Sequence, residues 1–156
     1  MNRYFGMVAP EAQVPMVATR DIAARAAFLL MNPDFDGQNV EYILGERNVS
    51  HLEAVKAIGK AIGKEDLEYV ETPEKEMKEH LIAAGLSEDW ADSMIEMSHA
   101  GSNGSLTSTV SRDRANTTPT SIEEFARTTF LEAYNSAIEK ERARLGRDSS
   151  SAEASP

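Results

Sequence analysis

Short apolar runs alternate with longer segments of helical periodicity along the first seventy residues. Val14–Thr19 is nearly all apolar, which is typical of a strand that is buried on both faces. Val40–Leu44 and Leu67–Val70 are two further short runs with strand-forming residues. Between them, apolar residues recur at three- and four-residue spacing in Asp21–Met31 and Leu52–Ile62. The pattern predicts strands that alternate with helices, an α/β arrangement.

Residues that cap helices mark where these segments begin and end. Asp21 can accept hydrogen bonds from the first turn of one helix, and Asn32-Pro33 ends it because the residue before proline avoids the α region. Ser50–Glu53 has the form of a capping box, and Gly63 suits a left-handed helix end. Strand, capped helix and strand are therefore predicted to form a compact, right-handed βαβ unit over residues 40–70.

The second half of the chain is predicted to be mainly helical. Thr72-Pro73-Glu74 is a strong helix start, with a capping hydroxyl and proline at the first helical position, and two helices are expected within residues 72–101. Gly101–Thr120 has almost no periodicity, which favours a functional loop, disorder or a missing packing partner. For Asn103–Ser105 and Arg112–Asn116 within it, a solvated loop is the plain interpretation. A second capping box opens an amphipathic helix over 121–145, and residues 146–156 are expected to be disordered.

Composition narrows the possible partners. The chain has 26 acidic against 16 basic residues and a formal net charge of −10, which disfavours nucleic acid and anionic membranes as partners. The absence of cysteine excludes disulfides and thiolate chemistry. Neither a run of 18 apolar residues nor a signal peptide is recognisable, so a cytoplasmic protein is expected.

Three stretches spread from Tyr4 to Tyr134 carry motifs whose order and spacing are more specific than any one of them. They are Tyr4–Gly6 with Pro15–Ala27, Leu44–Val70, and Ala84–Met97 with Asn116–Thr120 and Glu123–Ala126. In this order they resemble the NmrA-like family of atypical short-chain dehydrogenase/reductases, which includes NAD(P)H-dependent quinone- and azo-reductase-like members and redox-sensing regulators. The resemblance implies that residues 1–145 form the C-terminal, substrate-side lobe of a Rossmann-type protein, with the last sheet strand and its helix at 14–31.

One feature of the family has no counterpart in this sequence. Its members begin with a strand and a glycine-rich turn that opens a helix and holds the dinucleotide pyrophosphate. No subset of the nine glycines follows a predicted strand at that spacing, and no acid lies roughly 20 residues beyond such a turn. NAD(P)H is implied for the full-length parent only. We expect no cofactor-binding and no catalytic residue in this chain, which alone is expected to be inactive.

Two groups of residues are candidates for a substrate pocket. Thr19, Arg20 and Asp21 follow a predicted buried strand, where ligands of open α/β sheets collect, although Asp21 as a helix cap and Arg20 as a surface or paired residue are the plain interpretations. The second group combines methionine and aromatic side chains, which suit flat ligands but also form ordinary cores. It consists of Tyr4, Phe5, Trp90, Met94 and Met97.

These observations leave two function hypotheses open. The chain is the substrate-side portion of a quinone- or azo-reductase-like oxidoreductase that takes a small apolar or aromatic ligand, or it is a non-catalytic ligand-binding or redox-sensing module. A start placed inside a longer reading frame is a third interpretation. The three histidines lie on separate predicted helices, so no metal site is expected. The unpaired edge of Val14–Thr19 predicts homo-oligomers.

Overall fold

A computed structural model describes residues 2–34, 36–105 and 109–152, without the side chains of 146–152. The described residues form a mixed α/β structure rich in helix, which confirms the predicted class. In chain order the elements are β1 (Arg3–Gly6), β2 (Gln13–Val14), α1 (Thr19–Met31), β3 (Val49–Ser50), α2 (His51–Ala61), β4 (Glu68–Glu71), α3 (Glu74–Ala83), α4 (Glu88–Ser102), α5 (Ile122–Phe125), a π-helical turn (Ala126–Phe130) and α6 (Leu131–Ala152).

The strands described form two small sheets. β1 runs parallel to β4, with Tyr4 opposite Tyr69 and Phe5 opposite Val70. β2 runs antiparallel to β3, with Val14 opposite Val49. The parallel pair joins residues more than sixty positions apart, so the two ends of the first half of the chain meet in one sheet.

The predicted strand Val14–Thr19 is wrong except at Val14. Pro15 has no N–H to give to a sheet ladder, and the N–H of Met16 donates back to the carbonyl of Val14 at 3.0 Å, which turns the chain. Thr19 is already the first residue of α1. The apolar run is therefore a connection between a two-residue strand and a helix.

The predicted βαβ unit over residues 40–70 is also wrong. Val40–Leu44 forms no strand; Val40 is 79% exposed, and the N–H of Leu44 donates to the carbonyl of Asn116 at 2.8 Å. β4, the expected partner of this segment, pairs with β1 instead. The sequence predicts α2 and β4 correctly, but it does not predict that β1 is the strand that pairs with β4.

α2 has the boundaries that its sequence predicts. The Ser50 hydroxyl accepts from the N–H of Glu53 at 3.1 Å, and the Glu53 carboxylate accepts from the N–H of Ser50 at 2.9 Å, which is a complete capping box. Gly63 follows the helix with a φ of +70°, in the left-handed region. The helix buries Ala54, Val55 and Gly59 in the core.

The two helices predicted within residues 72–101 are present as α3 and α4, but the first begins differently. Pro73 occupies the N-cap position of α3, one residue later than predicted, and Thr72 caps nothing. Thr72 is instead buried, and its hydroxyl has no hydrogen-bond partner among the described residues. α4 begins conventionally, since the Ser87 hydroxyl accepts from the N–H of Trp90 at 3.2 Å.

The C-terminal helix begins as predicted and extends further. Ser121 accepts from the N–H of Glu124 at 3.1 Å, whereas the Glu124 carboxylate binds Arg20 at 2.8 Å instead of completing a capping box. A π-helical turn then interrupts the helix before α6, which continues to Ala152 and so includes residues expected to be disordered. Ion pairing of Glu141 with Arg144 at i, i+3 supports its charged part. Residues 153–156 lie outside the described residues.

Candidate functional site

A cavity of about 480 Å³ opens between β1, β4 and the helices α2, α3 and α4, and is referred to below as the apolar cavity. Most of its lining side chains are aromatic or methionine. They include Tyr4, Phe5, Tyr69, Met77, Met94 and Met97. Their chemistry suits a flat apolar ligand, because thioethers and rings adapt to ring faces.

Regular structure brings these side chains together. The parallel register places Tyr4 beside Tyr69, with ring centroids 5.8 Å apart. Met94 and Met97 are three positions apart on α4, so they lie on the same helix face, and Met77 comes from the adjacent α3. Strand pairing and helix spacing, rather than a flexible loop, therefore position the lining of the apolar cavity.

His51 is, with Tyr4, one of two side chains in this lining whose polar groups remain available to a ligand. It is the first residue of α2, and its ring centroid lies 5.8 Å from that of Tyr69. Burial lowers the pKa of His51, so the imidazole is neutral near pH 7 and offers one donor and one acceptor. No hydrogen bond to it is found among the described residues.

The other polar groups of the apolar cavity are already engaged. The Tyr69 hydroxyl donates to the carbonyl of Val8 at 2.6 Å, and burial raises the pKa of Tyr69. The Ser98 hydroxyl donates to the carbonyl of Ile95 at 2.7 Å. A ligand in the apolar cavity would therefore find His51 and the Tyr4 hydroxyl as hydrogen-bonding groups.

A second cavity, of about 590 Å³ and referred to as the polar cavity, adjoins the first. Met7 and Ser98 line both cavities. Its other side chains are mostly polar or charged. They include Glu71, Thr72, Glu74, His99, Ser102 and Asn103. Within it, Nε2 of His99 lies 2.7 Å from a carboxylate oxygen of Glu74.

The residues predicted for a substrate pocket lie at separate positions in the structure. Tyr4, Phe5, Met94 and Met97 line the apolar cavity together. Trp90, one turn earlier on α4, is half-exposed and is not part of that lining. The methionine and aromatic group is thus assembled except for its tryptophan.

Thr19, Arg20 and Asp21 lie elsewhere, at the start of α1. The cap of this helix is Ala18, and Asp21 lies within its first turn, so the interpretation of Asp21 as the cap is wrong. Its carboxylate accepts from the N–H and the hydroxyl of Thr120, at 3.2 and 2.9 Å. Arg20 donates to Thr120 and pairs with Glu124, in line with its plain interpretation as a paired residue. These side chains tie α1 to the chain before α5.

The segment after α4 contacts the chain itself rather than solvent alone. Arg112 donates to the carbonyls of Leu44 and Gly45 and to the side chain of Asn48. Asp113 accepts from two following backbone N–H groups, which closes a local turn. The solvated interpretation is therefore wrong for Arg112 and Asn116, which bind the segment around Leu44, whereas Asp113–Ala115 and Asn103–Ser105 are exposed.

The described residues do not offer the turn that holds a dinucleotide. Three connections run from a strand directly to a helix, at Pro15–Ala18, at the Ser50–His51 junction and at Thr72–Pro73, and none contains glycine. A pyrophosphate needs a close backbone approach at a helix N-terminus, which glycine permits. NAD(P)H therefore does not fit these connections.

No group of three or more His, Cys, Asp or Glu residues is placed to hold a metal ion in residues 2–34, 36–105 and 109–152. Over the same residues, every helix is too short or too polar to cross a membrane.

Sequence reasoning missed His51, Tyr69 and Met77 as lining residues. In the sequence, His51 belongs to a capping box and is a candidate metal ligand, and neither feature predicts a cavity, although the first residue of a helix that follows a strand lies at an end of the sheet. Tyr69 was noticed only as a strand residue, and its position depends on pairing with β1. Met77 has the spacing of a buried stripe on α3, a pattern that does not distinguish a core from a cavity wall.

Comparison with known proteins gives one informative match. No family model matches the chain, and no solved structure matches it. The chain is 27% identical over 132 residues to Prestalk A differentiation protein A of Dictyostelium discoideum. The match covers 83% of this chain and 43% of that protein, so the chain spans less than half the length of this curated relative.

Proposed function

We propose that this chain is the substrate-side portion of an NmrA-like, quinone- or azo-reductase-like oxidoreductase, and that the apolar cavity holds a flat aromatic ligand. The observation that carries the proposal is the assembly of aromatic and methionine side chains from β1, β4, α3 and α4 around one cavity. The resemblance of the sequence motifs to the NmrA-like family supports the parent class. The relative from Dictyostelium, a differentiation protein, adds no reaction.

The polar group in the cavity fits a carbonyl-bearing ring. A quinone presents two carbonyl acceptors at the ends of a flat ring, and the neutral His51 imidazole has an N–H to donate. A pocket lined mainly by apolar side chains with a few polar groups is the usual design for a small-molecule site. We therefore assign His51 the role of orienting a ligand carbonyl and the methionines the role of packing on the ring.

The second candidate is a non-catalytic ligand-binding or redox-sensing module of the same type. The observation that favours it is the absence of glycine from the three described connections between a strand and the following helix. In such a module the cavity would bind the same ligand class without hydride transfer. Size-exclusion chromatography with light scattering and a hydrophobic dye distinguishes the candidates, because a stable monomer that binds no dye would favour the free-standing module, whereas the substrate-side portion of a larger protein should expose an apolar face and associate.

Methionine methyl groups offer a direct test of the ligand site. The chain would be labelled at the methionine methyls and titrated with 1,4-naphthoquinone while methyl spectra are recorded. We expect shifts for Met77, Met94 and Met97, which line the cavity. Met31 is an internal control, because it is highly exposed at the end of α1. The chain has no cysteine, so thiol adducts of the quinone do not interfere.

A pair of variants makes the test specific. Met94→Asp places a charge in the lining of the apolar cavity and should reduce naphthoquinone binding at least tenfold, because an aromatic ligand would have to pack on a carboxylate. Met31→Asp makes the same chemical change on an exposed helix end and should leave binding unchanged. Equal binding by the two variants, or shifts spread evenly over all methionines, would overturn the proposed site.

A further inference from the structure

α1 turns its charged side towards the chain and its apolar side towards solvent. Asp21 and Arg25 lie on the charged side and bind residues of the neighbouring segments. The opposite side is called the α1 face below, and its six residues are all apolar and all exposed. They are Ile22, Ala23, Ala26, Ala27, Leu30 and Met31. A surface helix normally buries its apolar side, so the α1 face lacks a partner within the described residues.

The shape and charge of the α1 face suit another apolar helix. Ala23, Ala26, Ala27 and Leu30 follow the spacing i, i+3, i+4, i+7 and form one continuous strip. Alanine side chains allow a second helix axis to come as close as packed helices do, about 8–10 Å away. The strip carries no charge in a chain whose formal net charge is −10. A helix that covers it therefore removes apolar surface from water without burying a charge.

The charges at the two ends of α1 indicate which helix fits this strip. Arg20 lies at the start of α1 with its side chain 45% exposed, and its bonds to Thr120 and Glu124 use Nε and Nη2, which leaves Nη1 for another acceptor. Asp34 is exposed just beyond the end of α1. In an antiparallel pair of α1 helices, Arg20 of each copy comes near Asp34 of the other, and opposite ends of the helix dipoles meet. A parallel pair would bring like charges together.

We propose that the α1 face is a self-association surface, on which two copies of this chain pair through antiparallel α1 helices. The strand edge that predicted oligomers, in Val14–Thr19, is not formed, so the contact surface is a different one. The strip is about 20 Å long and about 10 Å wide, which is much less than the roughly 800 Å² that each partner buries in a stable complex. The dimer is therefore weak and reversible, with a dissociation constant on the order of 100 μM.

Sedimentation velocity of the whole chain, from about 10 μM to about 1 mM, measures this equilibrium. We expect the average mass to rise with concentration from that of one chain towards that of two. Leu30→Glu should weaken the association at least tenfold, because it places a carboxylate in the apolar strip. Leu30 is 82% exposed, so the substitution should leave the fold intact. Leu145→Glu is the matched control, since it makes the same change at an exposed leucine of α6 and should leave the association unchanged.

A charge pair tests the orientation of the two helices. In the antiparallel arrangement, position 23 of one copy lies opposite position 30 of the other, because the two-fold axis passes through the middle of the strip. Ala23→Lys alone should weaken the association, as Leu30→Glu does. The double variant with both substitutions should recover most of the loss, since each new ammonium group then faces a new carboxylate of the other copy. A double variant that associates no better than the two single variants would overturn the antiparallel pair.

The methionine methyl spectra separate this inference from the proposed ligand site, whose lining consists of other residues. The Met31 signal should shift with the concentration of the chain and not with naphthoquinone, whereas Met94 and Met97 should do the reverse. A chain that stays monomeric up to about 1 mM, or an association that Leu30→Glu leaves unchanged, would overturn the inference while the ligand site stands. A monomer whose hydrophobic-dye binding is abolished by Leu30→Glu would also overturn it, because the α1 face would then serve a different partner.

Discussion

α1 and α2 carry similar apolar stripes and are held in the structure in different ways. α2 buries Ala54, Val55 and Gly59 and begins with a complete capping box. α1 has no buried residue and no side-chain cap, and Leu30 near its end is 82% exposed. Both sequences predict amphipathic helices, but only one of the apolar faces is covered within the described residues.

Polar contacts take the place of apolar burial at α1. Asp21 binds Thr120, Arg20 binds Glu124, and Arg25 forms a bidentate pair with Glu41 at 2.6 Å. These contacts connect the helix to Thr120, to α5 and to the irregular segment that contains Glu41. An apolar stripe thus predicts a helix and its face, whereas the element that covers the face depends on the rest of the fold.

The largest loss of stability should come from substitution of a glycine that packs against the connection to α1, compared with the same substitution of a glycine after α2. Gly45 and Gly63 both have a φ of +70°. A Cβ at Gly45 would collide with the carbonyl oxygen of Met16 in the connection to α1, whereas one at Gly63, after α2, would meet nothing within 4 Å. Gly45→Ala should cost roughly 2–5 kcal/mol, from left-handed strain and overpacking, and Gly63→Ala about 1 kcal/mol. Urea denaturation measures both, and equal costs would contradict the collision.

Truncation of one apolar side chain in each helix tests the difference in burial. Val55 is 3% exposed, so Val55→Ala should cost about 2–3 kcal/mol from lost burial and the cavity left behind. Phe28 is half-exposed on α1, and the Cζ atom of Arg25 lies over its ring, 5.1 Å from the ring centre. Phe28→Ala should therefore cost less than about 1 kcal/mol in the same denaturation measurement. A larger cost for Phe28 would mean that α1 is covered after all.

The polar attachment of α1 can be measured with a double-mutant cycle. Asp21→Ala leaves the buried N–H and hydroxyl of Thr120 without their carboxylate acceptor. We expect a cost of about 1–2 kcal/mol, because Arg20 donates to the Thr120 hydroxyl and cannot replace the lost acceptor. Thr120→Val and the double variant complete the cycle. A coupling energy near zero would show that the Asp21–Thr120 contact does not hold α1.

The smallest change in stability is expected on acidification, and it comes from Glu53 in the first turn of α2. The N–H of Ser50, followed by the Gln13 side chain and Arg47, lowers the pKa of Glu53 to about 2 from an ordinary value near 4.5. A carboxyl group whose pKa is lowered in the folded state stabilises the fold at pH values above its ordinary pKa. This contribution is lost as the pH falls from about 4.5 towards 2. Glu53→Gln should therefore lose less stability than the unchanged chain between about pH 6 and pH 3. Glu79→Gln, at an exposed α3 residue, should behave like the unchanged chain.

Features that depend on neighbouring residues were predictable from the sequence. The capping box at Ser50, the cap at Ser121 and the left-handed Gly63 all act within one helical turn, and the structure has each of them. The pairing of β1 with β4 was not predictable, because it joins Arg3–Gly6 to a strand whose apolar pattern equally suits other partners.

The same limit applies to the candidate site. Met94 and Met97 share a helix face by spacing alone, so their joint position was predictable. His51 and Tyr69 meet them only through the non-local strand pair, and the sequence gives no local signal for that contact. Asp21 was misassigned because a carboxylate near a helix start can cap its own helix or bind a distant segment, and Thr120 supplies the distant partner.

The π-helical turn Ala126–Phe130 affects how this chain tolerates changes in length. A π turn holds one residue more than the α-helical turn it replaces, and each residue rotates an α-helix by about 100°. Deletion of Thr129 would therefore allow a continuous α-helix in which Tyr134 keeps nearly the same direction relative to the buried Ala126. Tyr134 would stay beside the Lys64 ammonium, which lies 5.6 Å from the centre of its ring. A one-residue deletion within α6, before Tyr134, would instead rotate Tyr134 by about 100°. The π-helical turn is thus the place where this helix can lose a residue without changing the direction in which it presents its side chains.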